Sequence, residues 1–111
     1  MIEFDDFARV DMRVGRILAV DPFPEARKPS YKLRIDFGSE LGERVSSAQL
    51  TVTYPDRTAL VGRQVVAVVN FPPRRIAGFE SEVLVLGAMG DDGEVFLLAP
   101  QPAAAEGRRI G

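Results

Sequence analysis

Asn70-Phe71-Pro72-Pro73-Arg74-Arg75-Ile76-Ala77-Gly78-Phe79 separates the two most apolar runs of the chain, Val65 to Val69 and Val83 to Leu86. Adjacent prolines remove two backbone donors and fix two φ angles, so the segment cannot continue a central strand. It predicts an ordered, semi-rigid loop that divides one apolar region into two strands. The loop presents Arg74 and Arg75 beside Phe71 and Phe79. Paired guanidinium groups on a stiff edge have the chemistry to grip phosphate, or aromatic and apolar groups. The same residues also fit a proline-rich connection whose arginines are merely solvated.

Outward from the loop, Gln64 to Val69 is a continuous β-branched run, typical of a strand covered on both sides, and Glu82 to Ala88 is a second such run. Asp92-Gly93 then turns the chain into Val95 to Leu98. Upstream, Tyr31, Leu33, Ile35 and Phe37 alternate with Lys32, Arg34 and Asp36, which predicts a strand with one core side and one basic side. Gly38 to Glu43 makes a turn into a third strand, Arg44 to Val52, where Ser46, Ser47 and Gln49 form a polar, uncharged exposed face open to a ligand or to water. Met12, Val14, Leu18 and Val20 mark one face of a long first strand, and Gly15 stands where a sharp bend would let it serve two sheets. Asp56 can cap a short helix through Val61 that Gly62 ends.

The ends read as extensions. Asp5 to Val10 forms a helical turn capped by Asp5 or Asp6, with Phe4, Phe7 and Val10 on one side, and an apolar terminal segment of this kind must dock on something. Pro22 to Ser30 is a stiff loop, and the tail from Pro100 is an extended wrap anchored by Ile110. This element order predicts an all-β chain: an OB-fold, a five-stranded Greek-key barrel with a short helix between strands 3 and 4, of the kind that binds oligonucleotides on one face. The expected organisation is a single domain over 1–111, with extensions at 1–10 and 100–111.

Composition narrows the function. With 111 residues, 46% apolar and 27% charged, the chain matches an ordinary globular domain with one core. No run reaches membrane length, and the acidic start Met1-Ile2-Glu3-Phe4-Asp5-Asp6 lacks the basic region of a signal peptide, so a cytoplasmic protein with no membrane insertion is expected. There is no cysteine and no histidine, which excludes disulfides, thiolate nucleophiles, imidazole bases and His-ligated metals. Asp91-Asp92-Gly93-Glu94 is the one dense acidic cluster; it lacks the spacing of a calcium loop and reads first as a hairpin turn. No phosphate-binding glycine loop occurs. A binding protein without catalysis, cofactor or metal is therefore expected, ahead of an enzyme running on carboxylates alone.

The net charge of −2 argues against indiscriminate binding along a nucleic-acid backbone. Even so, Arg27, Lys28, Lys32 and Arg34 fall in a short region without an acid, so an acidic protein can carry a basic face.

Phe23-Pro24-Glu25-Ala26-Arg27, Lys32-Leu33-Arg34-Ile35-Asp36-Phe37-Gly38, Ser46-Ser47-Ala48-Gln49 and Val68 to Phe79 with Ser81-Glu82-Val83 together resemble the CsaA family of small bacterial export-related chaperones, a branch of the tRNA-binding-domain superfamily. The resemblance runs nearly end to end. It implies an OB-fold whose extensions make a homodimer, tRNA binding on the barrel, and affinity for unfolded or precursor polypeptides, with export machinery a further candidate partner. Carried onto this chain, Arg27, Lys28, Lys32 and Arg34 would meet phosphates, Arg74 and Arg75 would extend that track, and Asn70 and Ser81 would bond a base or a 2′-OH. Tyr31 would stack only by facing outward, and its alternation places it in the core. Phe71, Pro72, Pro73 and Phe79 would form an apolar cleft for polypeptide, and Ile2, Phe4, Phe7 and Ile110 the homodimer interface. The alternative is a dedicated tRNA-binding module with no chaperone role.

Overall fold

The computed structural model describes residues 1–111. The chain forms α1 (Phe4–Ala8), β1 (Met12–Pro22), β2 (Tyr31–Asp36), α2 (Gly38–Leu41), β3 (Glu43–Ala48), one turn of 3-10 helix (Arg57–Leu60), β4 (Gln64–Val68), β5 (Arg74–Ile76), β6 (Phe79–Ser81), β7 (Leu84–Val85), β8 (Gly87–Met89) and β9 (Val95–Leu97). Five strands make an antiparallel sheet in the order β3-β2-β1-β4-β7 that curls into a nearly closed OB-like barrel. Phe37, Ile35, Leu33, Val65 and Leu60 fill its interior. No helix is long and apolar enough to cross a membrane.

One strand does serve two partners: β1 pairs with β4 through Met12 to Arg16 and with β2 through Arg16 to Pro22. The irregularity that permits this lies at Leu18, where the register shifts between Ile17 and Ala19, and not at Gly15. Ile17 reaches the core on the face of Gly15, and the bulge inverts the alternation beyond it so that Val20 joins that face while Leu18 stays half-exposed. Gly15 has a different reason to be glycine. A Cβ there would lie 2.6 Å from Ile35 Cγ2 and 2.7 Å from Phe37 Cε1, because both core side chains cross its backbone.

The alternation of β2 holds throughout, with Tyr31, Leu33, Ile35 and Phe37 all buried. β3 stops at Ala48, short of Val52, and Ser46 points inward: it pairs with Leu33, is fully buried, and donates to the Val83 carbonyl at 2.9 Å. Its hydroxyl is tolerated in the core because it has a partner. All five residues of β4 are buried, and the Asp56 carboxylate accepts from the Thr58 N–H at 3.1 Å as the cap before the 3-10 turn. At α1 the cap is Glu3, and Asp6 takes the third helical position, accepting from the Glu3 N–H at 2.9 Å.

Two further differences shape the surface. The segment after the double proline is a hairpin, β5 with β6, turning through Ala77 (φ 47°) and Gly78 (φ 82°). Positive φ at both central positions matches the right-handed twist of the flanking strands, which outweighs the strain on Ala77. The apolar run from 82 to 88 breaks into β7, which pairs with β4, and β8, which leaves the barrel to pair with β9 around Asp92-Gly93. Finally, the tail lies along the edge of β1 that β2 does not reach. Gly107 donates to the Val14 carbonyl at 2.7 Å, Val14 to the Arg108 carbonyl at 2.9 Å, and Ile110 to the Met12 carbonyl at 2.9 Å.

Candidate nucleic-acid interface

The barrel closes incompletely between β3 and the chain around residues 81–83. One backbone bond crosses there, from the Glu82 N–H to the Val45 carbonyl at 2.9 Å. The rest is side-chain work: the Glu82 carboxylate accepts from the Val45 N–H at 3.0 Å, and Ser81 Oγ accepts from the Ser47 N–H at 2.9 Å. Beyond Ser47 the two walls part. A groove of about 530 Å³ opens, with Ser47, Ala48 and Gln49 on one wall and Leu84, Val85 and Leu86 on the other.

Arg27 and Lys28 enter this groove from the loop before β2, and Arg74 enters from β5. No acidic residue lines it. Three cations without a counter-charge, over a lining that includes Ile76, Leu84, Leu86 and Met89, create a positive potential beside apolar surface. A shallower hollow of about 350 Å³ on the same loop, lined by Pro22, Pro24 and Pro29, carries Arg27 alone.

The remaining expected contacts are dispersed. Arg34 lies outside the groove and pairs with Glu43 at 2.7 Å. Arg75 points to the opposite face of the hairpin from Arg74, toward Glu80 at 3.4 Å, so the two arginines do not act as a pair. Alternation along β5 dictates this. The Asn70 amide is spent within the chain: its oxygen accepts from the Asp11 N–H at 2.9 Å and its nitrogen donates to the Arg9 carbonyl at 2.7 Å. Ser81 is buried at the seam, and the Tyr31 hydroxyl donates to the Tyr54 carbonyl at 2.8 Å inside the core, so neither presents a free group to a base.

Lys32 is half-buried, with its ammonium 4.6 Å from the Phe23 ring centre and 5.1 Å from that of Phe79. Those rings meet edge-on at 5.5 Å. Phe79 is thus half-buried against Phe23, whereas Phe71, Pro72 and Pro73 stay exposed on the connection between β4 and β5. Of the expected interface residues, Ile2 and Phe4 are each 76% exposed, whereas Phe7 and Ile110 are partly buried. The groove residues Leu84, Leu86 and Met89 were not marked by the sequence pattern, because a continuous apolar run reads as a strand covered on both sides.

Two arginines of β1 tie the tail to the barrel. Arg16 donates to Glu106 at 2.5 Å, and this bond holds the Glu106 carboxyl below the usual carboxylate range. Arg13 donates to Asp11 at 2.6 Å and lowers that carboxyl in the same way, while also donating to the Gly107 carbonyl at 3.1 Å.

Residues 12–109 match the family model described as "Putative tRNA binding domain". The chain is similar to the crystal structure of chaperone CsaA from Bacillus anthracis (50% identity, TM-score 0.94, covering 100% of this chain and 99% of that one). It is also similar to that of CsaA chaperone protein from Picrophilus torridus (47%, TM-score 0.92, covering 100% of both chains). Among curated proteins it is 38% identical over 109 residues to methionine–tRNA ligase of Neisseria gonorrhoeae, spanning 97% of this chain but 16% of the ligase. The chain thus corresponds to one domain's length of that relative.

Proposed function

The chain belongs to the tRNA-binding-domain family, in its CsaA branch, and from that premise we propose that it is a non-catalytic cytoplasmic protein that grips tRNA in the groove between β3 and β7–β8. The observation that carries this reading is the convergence of Arg27, Lys28 and Arg74 on a groove without an acid. Phosphates meet the three cations, and Ser47 and Gln49 offer hydroxyl and amide groups to 2′-hydroxyls or base edges. No aromatic ring lines the groove, so stacking contributes little and recognition follows the shape and backbone of a folded RNA.

Titration with tRNA over a range of salt concentrations tests this. Arg74→Glu and Arg27→Glu are each expected to weaken binding by tenfold or more, and loss of a phosphate contact lowers the salt slope by about 0.7–0.9. Wild-type affinity in both variants would overturn the groove as the RNA site.

A specific observation favours a second role. Leu84 and Met89 leave apolar surface exposed at the groove, 44% and 86% respectively, which suits the holding of unfolded or precursor polypeptide. Exposed Ile2 and Phe4 on the N-terminal extension suit a homodimer, which would present two grooves and raise avidity. An unfolded precursor titrated on the same preparation separates a holding protein from a module that binds tRNA alone.

A further inference from the structure

The groove's cations come from two arms that are separate in the chain. Phe23 roots the loop bearing Arg27 and Lys28, and it is buried at 3% exposure. Phe79 lies in β6 directly opposite Ile76 and so shares the hairpin face that carries Arg74. No hydrogen bond or ion pair joins the loop at 23–30 to the hairpin at 74–81. What joins them is the edge-on contact of Phe23 with Phe79, with Lys32 set over both rings at 4.6 and 5.1 Å. Lys32 has no carboxylate partner within ion-pairing distance and does not line the groove. A half-buried ammonium with two ring faces as its neighbours is bound by their quadrupoles and only partly by water.

We propose that Lys32 is a positioning residue: it clamps Phe23 to Phe79, sets the distance between the Arg27–Lys28 loop and the Arg74 hairpin, and makes no phosphate contact itself. This rests on the groove being the RNA site. A cation is needed at this point because the two rings alone meet along one edge, whereas a central charge attracts both faces and resists their separation. The RNA backbone then finds its three cations already spaced, and the ordering cost of binding is reduced.

Lys32→Met keeps most of the side-chain stem and removes the charge, and Lys32→Arg keeps a cation able to bind aromatic faces. In tRNA titrations across salt concentrations, Lys32→Met is expected to bind about tenfold more weakly with an unchanged salt slope, and Lys32→Arg to restore the affinity to within about threefold. A slope that falls by about 0.7–0.9 in Lys32→Met would make Lys32 a phosphate contact and overturn the proposal. Wild-type affinity in Lys32→Met would overturn it too.

Amide exchange in the free protein tests the clamp without RNA. Residues 75–80 should exchange faster in Lys32→Met than in wild type, with Lys32→Arg again restoring protection, and unchanged protection would refute the clamp. If Arg74→Glu leaves tRNA affinity intact while exchange in Lys32→Met rises, the groove reading fails and the clamp stands.

Discussion

β3 has two neighbours, and they are joined to it in different ways. Toward β2 it forms a regular antiparallel ladder from Tyr31–Ala48 to Asp36–Glu43, built from backbone groups. Toward residues 81–83 it has one backbone bond, and the Glu82 carboxylate and the hydroxyls of Ser81 and Ser46 complete the seam. A backbone ladder is available to almost any pair of strands, so its strength depends on the core beneath it. A seam stitched by side chains exists only where those side chains stand. It ends at Ser47 because the opposing chain continues from Ser81 and Glu82 into Val83 to Leu86, which carry no side-chain oxygen, and there the groove begins. The groove is thus the unclosed remainder of the barrel.

The largest effect should come from the ladder's core. Phe37→Ala removes a fully buried ring packed against β1 and β2 and is expected to cost about 4 kcal/mol in urea unfolding. A loss below about 1 kcal/mol would mean that the ladder stands without its core, breaking the contrast.

At the seam, Ser46→Ala removes the closer of the two hydroxyls that donate to the Val83 carbonyl, leaving Ser81 Oγ at 3.5 Å, and is expected to cost about 1.5 kcal/mol. Its counterpart on the ladder's surface, Arg34→Ala, deletes an exposed ion pair with Glu43 and should stay within about 0.5 kcal/mol. Equal costs for these two would remove the distinction between stitched and laddered walls.

Acidification sharpens it further. The Glu106 and Asp11 carboxyls are held low by their bonds from Arg16 and Arg13, so their contribution is complete above the unfolded carboxylate pKa of about 4 and is lost as pH falls through the folded values. As pH falls below about 4, the amides of Val14, Gly107 and Ile110, which bind tail to barrel, should lose exchange protection before those of β2. Simultaneous loss in tail and ladder would show that the two are one cooperative unit.

Which parts of this design were visible in the chain follows from the range of the forces involved. The alternation of Tyr31 to Phe37, the β-branched run of β4, the Asp56 cap and the Asp92-Gly93 turn depend on residues close in sequence, and all four stand as read. Ser46 was misread because a serine on a strand signals exposure until a carbonyl from 37 positions away arrives to satisfy it. The hairpin inside the proline-rich segment was hidden because it turns through Ala77 and Gly78, without the asparagine or aspartate that usually marks such a turn.

Among the charges, Arg27, Lys28 and Arg74 were legible as candidate phosphate ligands and meet in one groove, while Arg34 and Arg75 found Glu43 and Glu80. An acid-free stretch of sequence says nothing of the acids that a neighbouring strand will place beside it.

The alternation of β2, the buried run of β4, the lack of cysteine and histidine and the stock of cations were thus set by the residues themselves, since periodicity and composition need no neighbour to be defined. Tertiary structure alone decided which cations converge, where the barrel fails to close, and that Lys32 faces two rings. Each of these depends on side chains brought together across long spans of chain, just as the bulge at Leu18, invisible in the residue pattern, decides which face of β1 meets the core at Val20.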